Sequence, residues 1–266
     1  MKNNIFKLTI TIFLGLFIYN NRVISQNNEW KDTLIFKVGT EPLRTNFMYF
    51  TDKESALQYK PKLSPFYKSL NGTWKFSWCR KPDDRPVDFY KLDFNASQWD
   101  DIQVPGDWQL QGYGVPYYKN IGYPFKSNFP HAPEDYNPVG SYIREFEIPE
   151  EWNNKQIFLH FAGVNSAFYV WINGKYIGYR EDTKTASEFN ITSFIVKGKN
   201  KIAVEVYRWC DGSYFEDQDM WRFSGIERDV FLYAANEIAI RNIKIIASLD
   251  ENYKNGIFSV EILINN

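Results

Sequence analysis

From about residue 26 onward, apolar side chains recur at every second position in short runs, and turn residues separate the runs. A two-residue period sends successive side chains to opposite faces of an extended strand. The sustained 3.6-residue period that would give a helix a continuous apolar stripe is missing. Gly72-Thr-Trp-Lys-Phe-Ser-Trp78 alternates, which places Trp74, Phe76 and Trp78 on one face. Ile157-Phe-Leu-His-Phe161 reads as a short, strongly apolar strand. Ala167-Phe-Tyr-Val-Trp-Ile172, then Asn173-Gly174, then Lys175-Tyr-Ile-Gly-Tyr179 is the clearest hairpin. Asn-Gly tolerates the positive φ angles of a type I′ turn, whose twist matches the flanking strands. Lys201-Ile-Ala-Val-Glu-Val-Tyr207 and Asp229-Val-Phe-Leu-Tyr233 add two more strands. This pattern predicts an all-β fold, a β-sandwich or jelly roll rather than an α/β sheet. Aromatic residues make up 18% of the chain, which suits β-structure and supplies rings able to stack on sugars.

Residues 1–25 follow a different rule. Lys2 and Lys7 give a basic start, Leu8 to Tyr19 is a nearly all-apolar run, and Val23 and Ser25 are small residues at a signal-peptidase spacing. Twelve residues rise only about 18 Å as a helix, against a bilayer core of roughly 30 Å. The segment reads as a cleaved secretory signal peptide, with the mature protein beginning near Gln26 and exported to the periplasm or medium. Its removal takes away three basic and no acidic residues, which moves the net charge from −1 to −4. The expected first β domain covers 26–235. Within it, Val104 to Gly140 forms a Pro-rich, aromatic insertion whose composition argues for an ordered functional loop. From Glu237 a new strand series begins, and 236–266 reads as the truncated start of a second β-sandwich.

Composition closes off several functions. With 31 Lys+Arg against 32 Asp+Glu and no basic stripe, nothing is set up to neutralise phosphates, so no nucleic-acid partner is expected. No other stretch is apolar enough to span a membrane. There is no Walker loop, no GxGxxG and no GxSxG elbow around Ser213. Two His far apart leave little for a His-based zinc site. His160, inside a strand, reads as a packed core residue, and His131 lies in the Pro-rich loop without a Ser or Cys partner. Cys79 and Cys210 can pair in an oxidising compartment or stay as two free thiols. The densest polar cluster runs from Trp209 to Gly225, with Asp211, Glu216, Asp217 and Asp219 followed by Arg222 and Arg228. Three readings fit it: a carboxylate pair for glycosidic cleavage, oxygen ligands for a hard cation, or a solvated acidic loop. Tyr214, Phe215 and Trp221 among the acids tilt it toward sugar.

Six motifs follow in order: Val104-Pro-Gly-Asp-Trp-Gln109, Tyr118-Lys-Asn-Ile-Gly-Tyr-Pro124, Asn137-Pro-Val-Gly140, Phe161-Ala-Gly-Val-Asn-Ser-Ala-Phe168, Asp211-Gly-Ser-Tyr-Phe-Glu-Asp-Gln-Asp-Met-Trp221 and Ser224-Gly-Ile-Glu-Arg-Asp229. Together they resemble the N-terminal part of glycoside hydrolase family 2, specifically its β-galactosidases, from about Glu29 to the end. The resemblance implies a jelly-roll sugar-binding domain followed by the first strands of an immunoglobulin-like domain, with catalysis in a later (β/α)8 barrel. No residue here matches the family's acid/base or nucleophile Glu, so the chain alone is expected to be inactive. Asn120 matches the family's Asn that hydrogen-bonds galactose. Asp219 matches the Asp that contacts galactose and ligates sodium. Asp211, Glu181, Asp32 and Glu29 align with a divalent-ion site, magnesium by resemblance, although Glu181 stands where Gln is familiar, Asp32 where Asn is, and Glu29 where Asp is. The implied partners are a galactoside, the remaining enzyme domains, and further copies of the full-length enzyme. The competing readings are another family 2 specificity, β-glucuronidase or β-mannosidase, and a free-standing carbohydrate-binding module.

Overall fold

Seventeen strands follow one another in the computed structural model, which describes residues 28–216 and 218–265. The expected signal peptide and Asp217 therefore lie outside the described residues. In chain order the strands begin with β1 (Lys37–Val38), β2 (Tyr67–Ser69), β3 (Gly72–Cys79), β4 (Asp100–Val104), β5 (Gly106–Asp107) and β6 (Tyr117–Lys119). They continue with β7 (Val139–Glu147), β8 (Gln156–Phe161), β9 (Ala167–Ile172), β10 (Lys175–Arg180), β11 (Ser187–Asn190) and β12 (Lys199–Tyr207). The last five are β13 (Met220–Arg222), β14 (Gly225–Ile226), β15 (Val230–Ala235), β16 (Ala239–Leu249) and β17 (Gly256–Asn265). A seven-stranded sheet in the order β1-β10-β9-β12-β7-β3-β4 faces a four-stranded sheet, β11-β8-β15-β2, and every named pairing is antiparallel. This is the all-β sandwich the alternation predicts.

The large sheet buries both of its faces. On β9, Phe168, Val170 and Ile172 enter the inter-sheet core with Trp74, Phe76, Leu159, Phe161, Val204 and Leu232. Their neighbours Ala167, Tyr169 and Trp171 form a second core on the outer face with Trp30, Phe89 and Tyr207. Loops cover that outer face: Trp30 stacks on Tyr207 at 5.1 Å and Tyr90 on Trp171 at 4.9 Å. This explains why β9 has no polar alternate positions, since a strand covered on both sides gains apolar burial from every residue. Asn173, at φ 51°, and Gly174, at φ 80°, close the β9–β10 hairpin as their sequence requires.

One six-residue helix, Lys53–Gln58, escapes the periodicity argument because it is shorter than two full turns. The Asp52 side chain accepts from the Ser55 N–H and caps it. His160 is buried, stacked on Phe231 at 4.3 Å, with Nδ1 2.9 Å from Glu188. Cys79 and Cys210 are both free thiols. Among the described residues no helix is long and apolar enough to cross a membrane. The β16–β17 hairpin forms its own two-stranded sheet, and Ile245, Ile246, Phe258, Val260 and Ile262 stand exposed on it.

Candidate functional site

The Pro-rich insertion and the acidic loop meet in a two-stranded ribbon. β6 and β13 pair antiparallel, with Tyr117 opposite Arg222, Tyr118 opposite Trp221 and Lys119 opposite Met220. Asn120 and Asp219 each lie one residue beyond the paired positions. Directly opposed residues share a face and alternate residues return to it. Tyr118 and Trp221 therefore stand together on one side, and the Tyr118 hydroxyl reaches Asp219. Both Asn120 and Asp219 are exposed, and Tyr118 and Trp221 keep 54% and 52% of their surface, so this side is open to a ligand. The opposite side packs down onto the sandwich, where Arg222 is buried.

The sandwich holds the ribbon through Arg208, just beyond the end of β12. Its Nη2 donates to the carbonyl of Val115 at 2.9 Å and to that of Arg222 at 3.1 Å, tying β13 to the residues just before β6. The guanidinium lies 5.0 Å from the Tyr117 ring and 5.0 Å from the Trp209 ring, which shields the buried cation. Arg222 in turn donates to the carbonyls of Glu216 and Gln218 and so turns the acidic loop toward Asp219. Glu216 is not open to substrate: it accepts from the Thr183 N–H at 2.9 Å and from its hydroxyl at 2.7 Å. The three aromatics of the acidic loop also separate. Tyr214 is buried against Tyr123, Phe125 and Phe129, and its hydroxyl donates to the His131 carbonyl, whereas Phe215 and Trp221 are exposed.

A second polar centre lies below the same loop. Ligand atoms of Glu181, Cys210 and Asp211 lie within 4.8 Å of one another. Burial pushes the Glu181 carboxyl up to about 8; the Tyr179 hydroxyl, donating to it, pulls the other way, and the neighbouring Asp211 charge raises it further. Asp211 Oδ1 is buried without a hydrogen-bond partner. Two buried carboxyls with an unsatisfied oxygen are the donor set a hard cation relieves, so the residues fit such an ion. The Cys210 Sγ, held 3.1 Å from the Ser166 hydroxyl, is the member of this group that sequence reasoning missed. Its thiol is pushed up by burial, which leaves the two carboxylates as the natural ligands. Glu29 and Asp32 do not join this group. Glu29 accepts from the Tyr176 hydroxyl at 3.3 Å, and Asp32 Oδ1 accepts from the Leu34 N–H at 3.1 Å.

The fold is a jelly-roll-type sandwich, and its exposed ribbon carries two aromatic rings beside a carboxylate. Residues 67–236 match the model of the glycosyl hydrolases family 2 sugar binding domain, and the chain belongs to that family. The β-galactosidase of Priestia megaterium (strain DSM 319 / IMG 1521) is 45% identical over 90% of this chain, which corresponds to 24% of that protein. The β-galactosidase of Clostridium acetobutylicum is 48% identical over 74% of this chain and 22% of that protein. The chain thus spans about a quarter of the length of these relatives. Among solved structures, the β-glucuronidase of an uncultured Clostridium sp. covers 84% of this chain and 36% of its own, with a TM-score of 0.56 at 19% identity, a likeness of fold alone.

Proposed function

We propose that this chain is the sugar-binding, amino-terminal portion of an exported β-galactosidase that hydrolyses terminal β-D-galactosides. The observation that carries the reading is the exposed β6–β13 ribbon, which sets Tyr118 against Trp221, bonds the Tyr118 hydroxyl to Asp219 and leaves Asn120 one residue beyond the pairing. Asp219 accepts hydrogens from sugar hydroxyls, and Asn120 offers both a donor and an acceptor, so the pair senses how a hydroxyl is oriented. Among Tyr118, Asn120, Asp219 and Trp221 the one charge is negative. A uronic acid would bring its own carboxylate against Asp219, which favours a neutral sugar over a glucuronide. Relatives that bear the β-galactosidase name over most of this chain support the same choice.

In this reading a sodium ion sits at Asp219, and a magnesium-type ion is held by Glu181 and Asp211. When bound, each supplies positive charge that offsets the cost of keeping a carboxylate in partly dehydrated surroundings. The chain binds and orients the sugar. Cleavage by a retaining hydrolase needs two further carboxyl groups about 5–5.5 Å apart across the glycosidic bond, and those belong to the rest of the enzyme.

The test is kcat/KM against sodium concentration in the longer enzyme. Asp219→Asn keeps the shape and removes the charge, so kcat/KM falls roughly 10- to 150-fold and the sodium response weakens. Asn120→Ala weakens galactoside binding and leaves the sodium response in place. Wild-type efficiency with an unchanged sodium response in Asp219→Asn returns the acidic loop to a solvated surface feature.

A further inference from the structure

We propose that Tyr118 is a positioning residue of the sugar site: its hydroxyl fixes the rotamer of the Asp219 carboxylate, and the ribbon exists in part to hold it there. The proposal rests on the reading of Asp219 as a sugar contact and adds a residue to it. Three observations lead to it.

The first is geometric. Tyr118 stands opposite Trp221, so Asp219, two positions before Trp221, is its diagonal neighbour on the same face, within reach of a long side chain across an antiparallel pair. The Tyr118 hydroxyl donates to Asp219 Oδ1. The second is that this is the one side-chain anchor Asp219 has among the described residues. The carboxylate is exposed at the end of the acidic loop, and a free aspartate there would spread over several staggered wells. With Oδ1 engaged, Oδ2 is left for a sugar hydroxyl or a cation. The third is that the Tyr118 ring is itself braced. It meets the Trp221 ring edge-on at 5.6 Å and 61°, and Trp221 stacks on Phe223 at 5.9 Å and 21°. Two exposed aromatic rings held against each other make a rigid arm for the hydroxyl.

The hydroxyl is not needed for the ribbon to form. The β6–β13 backbone ladder and the Arg208 clamp hold both strands without it. Its removal therefore leaves the fold and takes away orientation. An oriented carboxylate does not have to be ordered each time a ligand arrives, and losing that pre-organisation weakens binding of ground state and transition state alike.

Two measurements test this. In isotope-labelled chain, three-bond couplings report the Asp219 χ1. Wild type should show a single rotamer and Tyr118→Phe an average over several. Tyr123→Phe, which removes a hydroxyl bonded to the Tyr214 carbonyl instead, should behave as wild type. In the longer enzyme, Tyr118→Phe should raise KM for a nitrophenyl galactoside and the half-saturating sodium concentration by roughly 3- to 20-fold, with kcat changed less than about twofold. A single Asp219 rotamer in Tyr118→Phe, or averaging already in wild type, overturns the proposal. So does an unchanged or lowered half-saturating sodium concentration. An enzyme without galactosidase activity removes the substrate reading instead, and the rotamer comparison then decides the role of Tyr118 by itself.

Discussion

Gly140 sits where β7 passes under the Trp108 and Phe76 rings. A Cβ there would lie 2.6 Å from Trp108 Cζ3 and 2.8 Å from Phe76 Cε2. Trp108 is fully buried and closes the start of the insertion that leads to the ribbon, so neither ring can yield without moving the core. Gly140→Ala is expected to destabilise the chain by about 2–3 kcal/mol, measurable as a lower denaturant midpoint at an unchanged m-value. At the same scale, Asp219 and Asn120 stood out in the sequence because the motifs around them are distinctive. Tyr118 lies in the same motif as Asn120, yet its role was hidden. Which side chains share a face with Asp219 depends on a register that neither three-residue strand declares by its own pattern.

Among the elements, β11 carries the most consequential charge. Glu188 accepts from Arg44 Nε and Nη2, from the Tyr233 hydroxyl at 3.0 Å, and faces His160 Nδ1 at 2.9 Å and Arg241 Nη2 at 2.8 Å. Burial alone would raise its carboxyl, but the His160 hydrogen bond and the Arg44 charge and hydrogen bonds outweigh it and hold the group well below the usual carboxylate range. The network joins β8, β11 and β15 of the small sheet to the 41–50 segment and to β16, where Thr45 also bonds Asn242 and Tyr49 bonds the Ile240 carbonyl. A depressed carboxylate stabilises the fold fully above its unfolded pKa, near 4.5, and loses that contribution as pH falls through its lower folded value. Glu188→Gln should therefore cost about 3–5 kcal/mol at pH 7, because Arg44 and Arg241 are left buried without their partner. It should also flatten the acid limb of the stability profile. Unfolding in denaturant at pH 7, 5 and 3 checks both, and equal losses at all three values would contradict the assignment. No local pattern announced this network. Its members come from five separate segments, and only packing makes them neighbours.

For the whole molecule, the expected behaviour is binding without turnover. Purified chain should not hydrolyse a nitrophenyl galactoside, since nucleophilic and acid catalysis together account for several orders of magnitude of rate and no matching carboxyls are present. Turnover comparable to a complete family member, abolished by Glu216→Gln, would place the active site here instead. The Glu181–Asp211 centre gives a second test at this scale. Magnesium at ten times its Kd should stabilise the chain by about 1.4 kcal/mol, a Tm rise of roughly 2–4 °C, reversed by a chelator and absent in Asp211→Asn. An identical shift in the variant would locate the ion elsewhere.

The sequence by itself determined the class of fold, because a two-residue apolar period can be satisfied only by strands and Asn173-Gly174 can close only a tight hairpin between them. It also singled out Asn120 and Asp219 as candidates, since short-range motif identity survives without knowledge of the fold. Other features were decided only by tertiary structure. Both faces of the large sheet are buried because distant loops supply the second cover for Tyr169 and Trp171. Glu181, Cys210 and Asp211 meet because the end of β10 and the loop after β12 converge there, whereas Glu29 and Asp32 find other partners. The Tyr118 hydroxyl reaches Asp219 because β6 and β13, each too short to be read as a strand, pair in one register while Arg208 holds β13 and the residues just before β6. Contacts of this kind depend on segments far apart in the chain, and a local period carries no information about them.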